Sequence, residues 1–132
     1  MQDIRWKQRY QNFSKAFKQL TEVVAKESLN KFEQAGMIQI FEFTFELAWK
    51  VLKDKLNYEG FNLQVPREVL KQAFQSNYIK DGSTWIDALD KRNLMSHTYD
   101  ENRSNEAISL IKNKYFIVLQ ELYLFLQDEI NK

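Results

Sequence analysis

Apolar side chains recur along most of this chain at the spacing of a helix. Trp6, Tyr10, Phe13, Phe17, Leu20 and Val24 follow one another at steps of 4, 3, 4, 3 and 4. That spacing places all six on one stripe of an α-helix, with Lys and Gln on the other face. A first helix is predicted over about residues 3–26, with Asp3 as its N-cap. A second helix is predicted over about residues 30–58, with Phe41, Phe45, Ala48 and Leu52 as its main stripe. Ile38, Phe43, Leu47, Trp49 and Val51 widen its apolar area well beyond one face. Such a helix is central in a bundle or also meets a second subunit. Gly36 inside it costs helix stability and suggests a close helix approach or a bend. Gly60 is the natural C-terminal stop.

Beyond a connector at residues 61–65, Pro66 suits the first turn of a third, shorter helix. Its inner face is read as Val69, Leu70, Ala73 and Phe74. After a loop at residues 77–82, Ser83 or Thr84 can cap a fourth helix, and Thr84 with Asp87 resembles a capping box. Trp85, Ile86 and Leu89 anchor it, and it runs to about Met95. A polar stretch, residues 97–104, supplies the cap formers Asp100, Asn102 and Ser104. The last helix carries Ile108, Ile111, Tyr115, Val118, Leu122 and Phe125 at steps of 3, 4, 3, 4 and 3. With three glycines and one proline, a turn-rich β fold is not supported. The expected architecture is all-α: an antiparallel, up-and-down four-helix bundle with an additional short helix, in one domain over residues 1–132.

Composition adds limits. Hydrophobic residues make up 44% of the chain and charged residues 28%, enough for a packed core. The net charge of +1 provides no strong basic field, so any RNA contact has to be local. The absence of cysteine excludes disulfides and thiolate chemistry, and one histidine excludes a site with two His ligands from one chain. The first residues lack the apolar run of a signal peptide, and no apolar stretch is long enough to span a bilayer. A cytoplasmic location without membrane association is the expectation.

The chemistry concentrates in Arg92, Asn93, Ser96, His97 and Tyr99. Arginine is a permanent cation that can clamp a phosphate through two hydrogen bonds. Histidine is the side chain that exchanges a proton near neutral pH. Together they suffice, without a metal, for RNA cleavage. His97 could act on the ribose 2′-hydroxyl or on the leaving oxygen, with Arg92 stabilising charge on the phosphate. Residues five apart on a straight helix point about 140° from each other. Arg92 and His97 therefore meet only if the helix ends between them, or if each faces groups from another helix or chain. Arg92 and Ser96, four apart, share a face. The ordinary alternative makes His97 a helix C-cap, pairs Arg92 with Asp87, Asp90 or Glu101, and leaves Tyr99 as an aromatic at the end of the bundle.

Weaker candidates lie on the second helix. Glu42 and Glu46, four apart, could bind a metal or orient a basic residue; Glu46 is kept as a supporting carboxylate for the Arg–His site. The commoner outcome for both is pairing with Lys50 and Lys53 or exposure to solvent. Phe41, Phe43, Phe45 and Trp49 read as core and interface rather than as a base-stacking platform, and Lys50, Lys53 and Lys55 as a solvated charge run.

The run Arg92-Asn93-x-x-x-His97-x-Tyr99 resembles the signature of HEPN-domain proteins, and its trailing tyrosine that of the subgroup encoded beside minimal nucleotidyltransferases. Residues 41–50, rich in Phe and Glu, are similar to the same subgroup, known as nucleotidyltransferase substrate-binding proteins. The resemblance extends over essentially the whole chain. It implies a bundle that dimerises and brings two Arg–His motifs together at the interface. It also implies a two-component system whose partner, a minimal nucleotidyltransferase, uses ATP and magnesium, while this chain carries no cofactor. In the toxin–antitoxin form of such systems, the helical protein is a metal-independent RNase. The partner neutralises it by transferring AMP to the motif tyrosine, here Tyr99. Arg92 and His97 would then be catalytic, and Asn93 and Ser96 would support them. The alternative within the same resemblance is a non-catalytic subunit that binds substrate for the nucleotidyltransferase. RNA or a nucleotide is the expected ligand.

Overall fold

The computed structural model describes the backbone of residues 2–96 and 101–132, and the side chains of residues 3–92 and 103–132. The described residues are helical almost throughout: α1 (Gln2–Val24), α2 (Lys31–Tyr58), α3 (Pro66–Gln75), α4 (Gly82–Ser96), α5 (Glu101–Leu110) and α6 (Phe116–Ile130). A π-helical turn, Ile111–Tyr115, joins α5 to α6 without a break in helical backbone.

α2 touches every other helix, which is why its apolar residues spill past one stripe. Its direction against its neighbours follows from the pairs it makes. Arg9 meets Asp54, and Lys26 meets Glu33, so α1 runs antiparallel to α2. Phe41 stacks on Tyr115, and Lys55 pairs with Glu129, so the α5–α6 rod runs parallel to α2 across the bundle. Phe17 stacks on Phe116 and Tyr10 on Tyr123, which sets α1 antiparallel to α6. These directions are those of the expected up-and-down bundle, with α3 as the additional short helix.

The predicted α1 stripe forms the core. Trp6, Tyr10, Phe13, Phe17 and Leu20 are buried against Met37, Phe41, Phe45 and Leu52 of α2. Asn30 caps α2 as half of a capping box with Glu33. At its other end Gly60, at φ 110°, lets the amides of Gly60 and Phe61 reach back to the carbonyls of Asn57 and Leu56. This is a Schellman closure, and its left-handed residue is one that only glycine adopts without strain. Asn77, at φ 64°, closes α3 in the same way.

Several local expectations are corrected. Asp3 lies inside the first turn of α1, where it accepts from Trp6 and pairs with Lys7, rather than capping the helix. Asp81, not Ser83 or Thr84, caps α4: its carboxylate accepts from the Thr84 amide and from both hydroxyls. Phe74 is half exposed instead of lying on the inner face, because α3 turns Val69, Leu70 and Ala73 inward. A side chain at Gly36 would meet nothing within 4 Å among the described residues, so that glycine accommodates no close helix approach there. Lys55 is buried between Glu59 and Glu129 rather than solvated. Asn102 and Ser104 lie inside α5, which begins at Glu101, rather than at its N-cap, and Asp100 lies outside the described residues. The π turn adds a residue to one turn of the last rod. Leu119 and Leu126 join Val118 and Leu122 in the core, while Phe125 shifts to a partly buried position.

Candidate functional site

Arg92 stands near the end of the described part of α4. Its position depends on how α4 is fastened. Pro66 starts α3 at a fixed φ, and Arg67 in the next position pairs with Asp90 on α4 at 2.5 Å. Trp85, fully buried, packs its ring against Phe45 of α2 at a centroid distance of 5.8 Å. Asp87 accepts a hydrogen bond from the buried Tyr115 hydroxyl at 2.5 Å and pairs with Lys91. The Tyr115 hydrogen bond, foremost, and Lys91 hold the Asp87 carboxyl below its ordinary range against the opposing effect of burial. Burial and the adjacent carboxylate push the Tyr115 hydroxyl well above its ordinary value. α4 is thus tied to α2, α3 and the π turn before Arg92 is reached.

The guanidinium then turns toward α2. Arg92 Nη1 lies 2.9 Å from Glu46 Oε1, and the side chain is 20% exposed. Nη1 is itself buried, and its contact with Glu46 is a charge contact rather than an aligned hydrogen bond. The second carboxylate oxygen, Glu46 Oε2, accepts from the indole Nε1 of Trp49 at 3.0 Å. Trp49, Glu46 and Arg92 form a chain in which an aromatic donor fixes a carboxylate and the carboxylate fixes a cation. A guanidinium held this way is oriented before any ligand arrives, and its planar fork is the donor set that matches an anion. Solvent reaches both side chains, so the pair is screened and holds the guanidinium without binding it tightly.

The ordinary alternatives for these residues resolve differently from expectation. Asp87 and Asp90 are engaged by Tyr115, Lys91 and Arg67, so neither is the partner of Arg92. Glu46 pairs with Arg92 and Trp49, not with Lys50 or Lys53. The Lys50 ammonium instead sits 6.0 Å from the centroid of the Trp49 ring. Among the described residues no group of three or more metal-ligating side chains comes together, and Glu46 is committed to a cation. Glu42 is half-buried one turn earlier on α2. His97 and Tyr99 lie outside the described residues, as do the side chains of Asn93 and Ser96.

Sequence reasoning missed the Trp49–Glu46 link, although the three-residue spacing on one helix was a usable signal. It could not have found Tyr115–Asp87, whose partners are 28 positions apart and meet only in the folded bundle.

Comparisons with known proteins bear on the family and the fold. The sequence profile described as "Nucleotidyltransferase substrate binding protein like" matches residues 8–128, a span that holds Glu46, Arg92, His97 and Tyr99. A curated protein of Haemophilus influenzae (strain ATCC 51907 / DSM 11121 / KW20 / Rd), "Probable ribonuclease HepT", is 36% identical over 75 residues, 53% of this chain and 51% of its own. The chain therefore spans about half the length of the curated relative it matches. Among solved structures, HI0074 of Haemophilus influenzae superposes with a TM-score of 0.79 at 26% identity, covering 89% of this chain and 98% of its own. Its structure is described as the fold of a substrate binding domain of a nucleotidyltransferase. A Thermus thermophilus protein superposes with a TM-score of 0.77 at 27% identity, covering 83% of this chain and 94% of its own.

Proposed function

The chain belongs to the nucleotidyltransferase substrate-binding protein-like family, and from that premise we propose that it is a metal-independent endoribonuclease of a two-component system. The observation that carries the reading is the Arg92 guanidinium, pre-oriented by Glu46 and Trp49 five residues before His97. In this reading Arg92 binds the scissile phosphate and stabilises the charge that gathers on its oxygens during attack. His97 takes the proton of the ribose 2′-hydroxyl or delivers one to the leaving 5′-oxygen. Asn93 and Ser96 position the reacting groups.

The active unit is a homodimer, so that two copies of His97 can divide the acid and base roles. Phe32 and Phe43 stand on α2, exposed at 84% and 61%, and supply the apolar surface such an interface needs. The partner is a minimal nucleotidyltransferase that carries the ATP and magnesium. Transfer of AMP from the partner's ATP to the Tyr99 hydroxyl, with loss of the phenolic proton and release of pyrophosphate, places a bulky anion two residues from His97 and silences the site. The relative named as a probable ribonuclease supports the nuclease role.

The test is cleavage of RNA by purified protein in the presence of EDTA. Arg92→Ala and His97→Ala should each abolish it while leaving the helical content unchanged. Cleavage by either variant at the parent rate overturns the proposal.

A second reading, a non-catalytic subunit that binds substrate for the nucleotidyltransferase, is favoured by the description of HI0074. It predicts a stable complex with the partner and no cleavage by the isolated chain. Mass spectrometry of Tyr99 after co-expression with the partner separates the readings, since AMP on Tyr99 is expected of the neutralised ribonuclease.

A further inference from the structure

The α2 stripe that holds Arg92 does not stop at Glu46. Glu46, Lys50, Lys53 and Asn57 follow one another at steps of 4, 3 and 4, which puts all four on one face of the helix. Lys53 is about 10 Å and Asn57 about 16 Å beyond Glu46 along the axis, at the rise of an α-helix.

At that end of the stripe the structure contains a cavity of about 400 Å³. Arg5 of α1 and Lys53 of α2 line it, together with Tyr58, Phe61 and Gln64. No carboxylate among the described residues pairs with Arg5 or Lys53. Asp54, the acidic residue in the lining, is already held by Arg9 at 3.0 Å. The two cations therefore face the cavity without internal compensation. Tyr58 and Phe61 are 48% and 39% exposed, so aromatic surface is available beside them.

The wall is rigid. Asn57 donates to the Leu63 carbonyl at 3.1 Å and accepts from the Leu63 amide at 2.9 Å. Together with the Gly60 closure, this fixes the connector that carries Phe61. Two cations, exposed rings and side-chain amides in one polar cavity are the components that recognise a nucleotide: phosphate on the cations, base on an aromatic face, base edge on amides.

We propose that this cavity binds a nucleotide of a single-stranded RNA whose scissile phosphate lies at Arg92, with Lys50 bridging the two along α2. The roughly 10–16 Å from Glu46 to this end of α2, at the rise of an α-helix, is a distance that a strand of a few nucleotides spans. Only the choice of RNA as the strand, and the placing of its scissile phosphate, rest on the ribonuclease reading. The cavity and its two cations stand independently of it.

The experiment measures binding of a fluorescent 2′-O-methyl oligouridine, which cannot be cleaved through its 2′-oxygen, by anisotropy over a range of salt. The full chain is compared with Arg5→Gln/Lys53→Gln and with Phe61→Ala, and AMP is titrated in parallel. Arg5 is exposed and Lys53 partly so, and unchanged circular dichroism establishes that the variants fold. The double variant should bind more weakly. Its plot of log affinity against log salt should be shallower by about 1.4, since each lost phosphate contact on a single strand removes about 0.7. Phe61→Ala should weaken binding about fivefold or more, as expected for one lost stacking ring.

Equal affinity and slope for the parent and the double variant overturn the proposal, as does failure of the oligouridine to bind the parent. AMP binding as tightly as the oligonucleotide makes the cavity a mononucleotide site and overturns the strand assignment. RNA cleavage by the parent is assayed separately. Binding that depends on Arg5 and Lys53 in a chain that does not cleave RNA sinks the ribonuclease reading and leaves the cavity assignment standing. Cleavage with no such dependence does the reverse.

Discussion

Arg92 of α4 and Glu46 of α2 meet with Nη1 2.9 Å from Oε1, and Glu46 is held from its other side by Trp49. This relationship is one of orientation more than of stability. The Glu46 side chain is 37% exposed, so the pair is worth at most about 1 kcal/mol. Glu46→Gln keeps an acceptor for the Trp49 indole and removes only the charge facing Arg92. Chemical denaturation should show a loss below about 1 kcal/mol. RNA cleavage under the proposed function should fall much further, because a guanidinium freed to sample other rotamers no longer meets the phosphate in place. A large loss of stability with cleavage unchanged would contradict this division of roles.

Tyr115→Phe tests the link that fastens α4 to the π turn. The substitution removes the 2.5 Å hydrogen bond to Asp87 while keeping the ring stacked on Phe41. A hydrogen bond to a charged acceptor contributes about 1.5–3 kcal/mol when buried, and the 39% exposure of the Asp87 side chain places the expected cost near or below the lower end. Asp87 is held below its ordinary range in the folded state, chiefly by this bond. Its contribution is therefore complete above the unfolded carboxylate pKa and is lost as the pH falls through the folded value. Parent and variant stabilities should converge below about pH 4. Urea titrations across acidic pH provide the check.

Alkaline pH acts with the opposite sign. Tyr10 is pushed up to about 12, by burial first and by its neighbour Tyr123 second. Tyr78 and Tyr115 are raised further, each by burial and by a carboxylate that accepts its hydroxyl proton, Glu59 and Asp87 respectively. Groups raised in the folded state contribute fully below the unfolded tyrosine pKa, near 10, and that contribution is lost as the pH rises through the folded values. Stability should fall steadily above about pH 10. Ultraviolet difference titration should show these three phenols ionising later in native than in denatured protein.

Two glycines predict shifts of opposite sign. Gly36 lies inside α2, and a methyl group there meets nothing within 4 Å. Gly36→Ala should raise stability by about 0.5–1 kcal/mol through helix propensity. Gly60 also has room for a methyl group, but its φ of 110° is one that alanine resists. Gly60→Ala should cost about 1–2 kcal/mol. Denaturant midpoints for the two variants should move apart around the parent value.

Local pattern was enough to set the helices and most of their inward faces. Trp6, Tyr10, Phe13, Phe17 and Leu20 sit at helical spacing and are all buried. Pro66 and Gly60 start and stop helices where their backbone preferences require. The Arg92–Tyr99 motif was legible in the same way, because it too is a pattern of near neighbours in the chain. Which partner each charge takes was settled only by the folded bundle. Arg92 had nearby carboxylates at Asp87 and Asp90 but pairs with Glu46, 46 positions away. Packing committed Asp87 to Tyr115, and Arg67 engaged Asp90. It also left Phe43 and Phe74 exposed, and brought Arg5 to the same cavity as Lys53. Spacing along a chain fixes the face of a helix on which a side chain stands. Only the rotation and depth of that helix against its neighbours fix what the side chain touches.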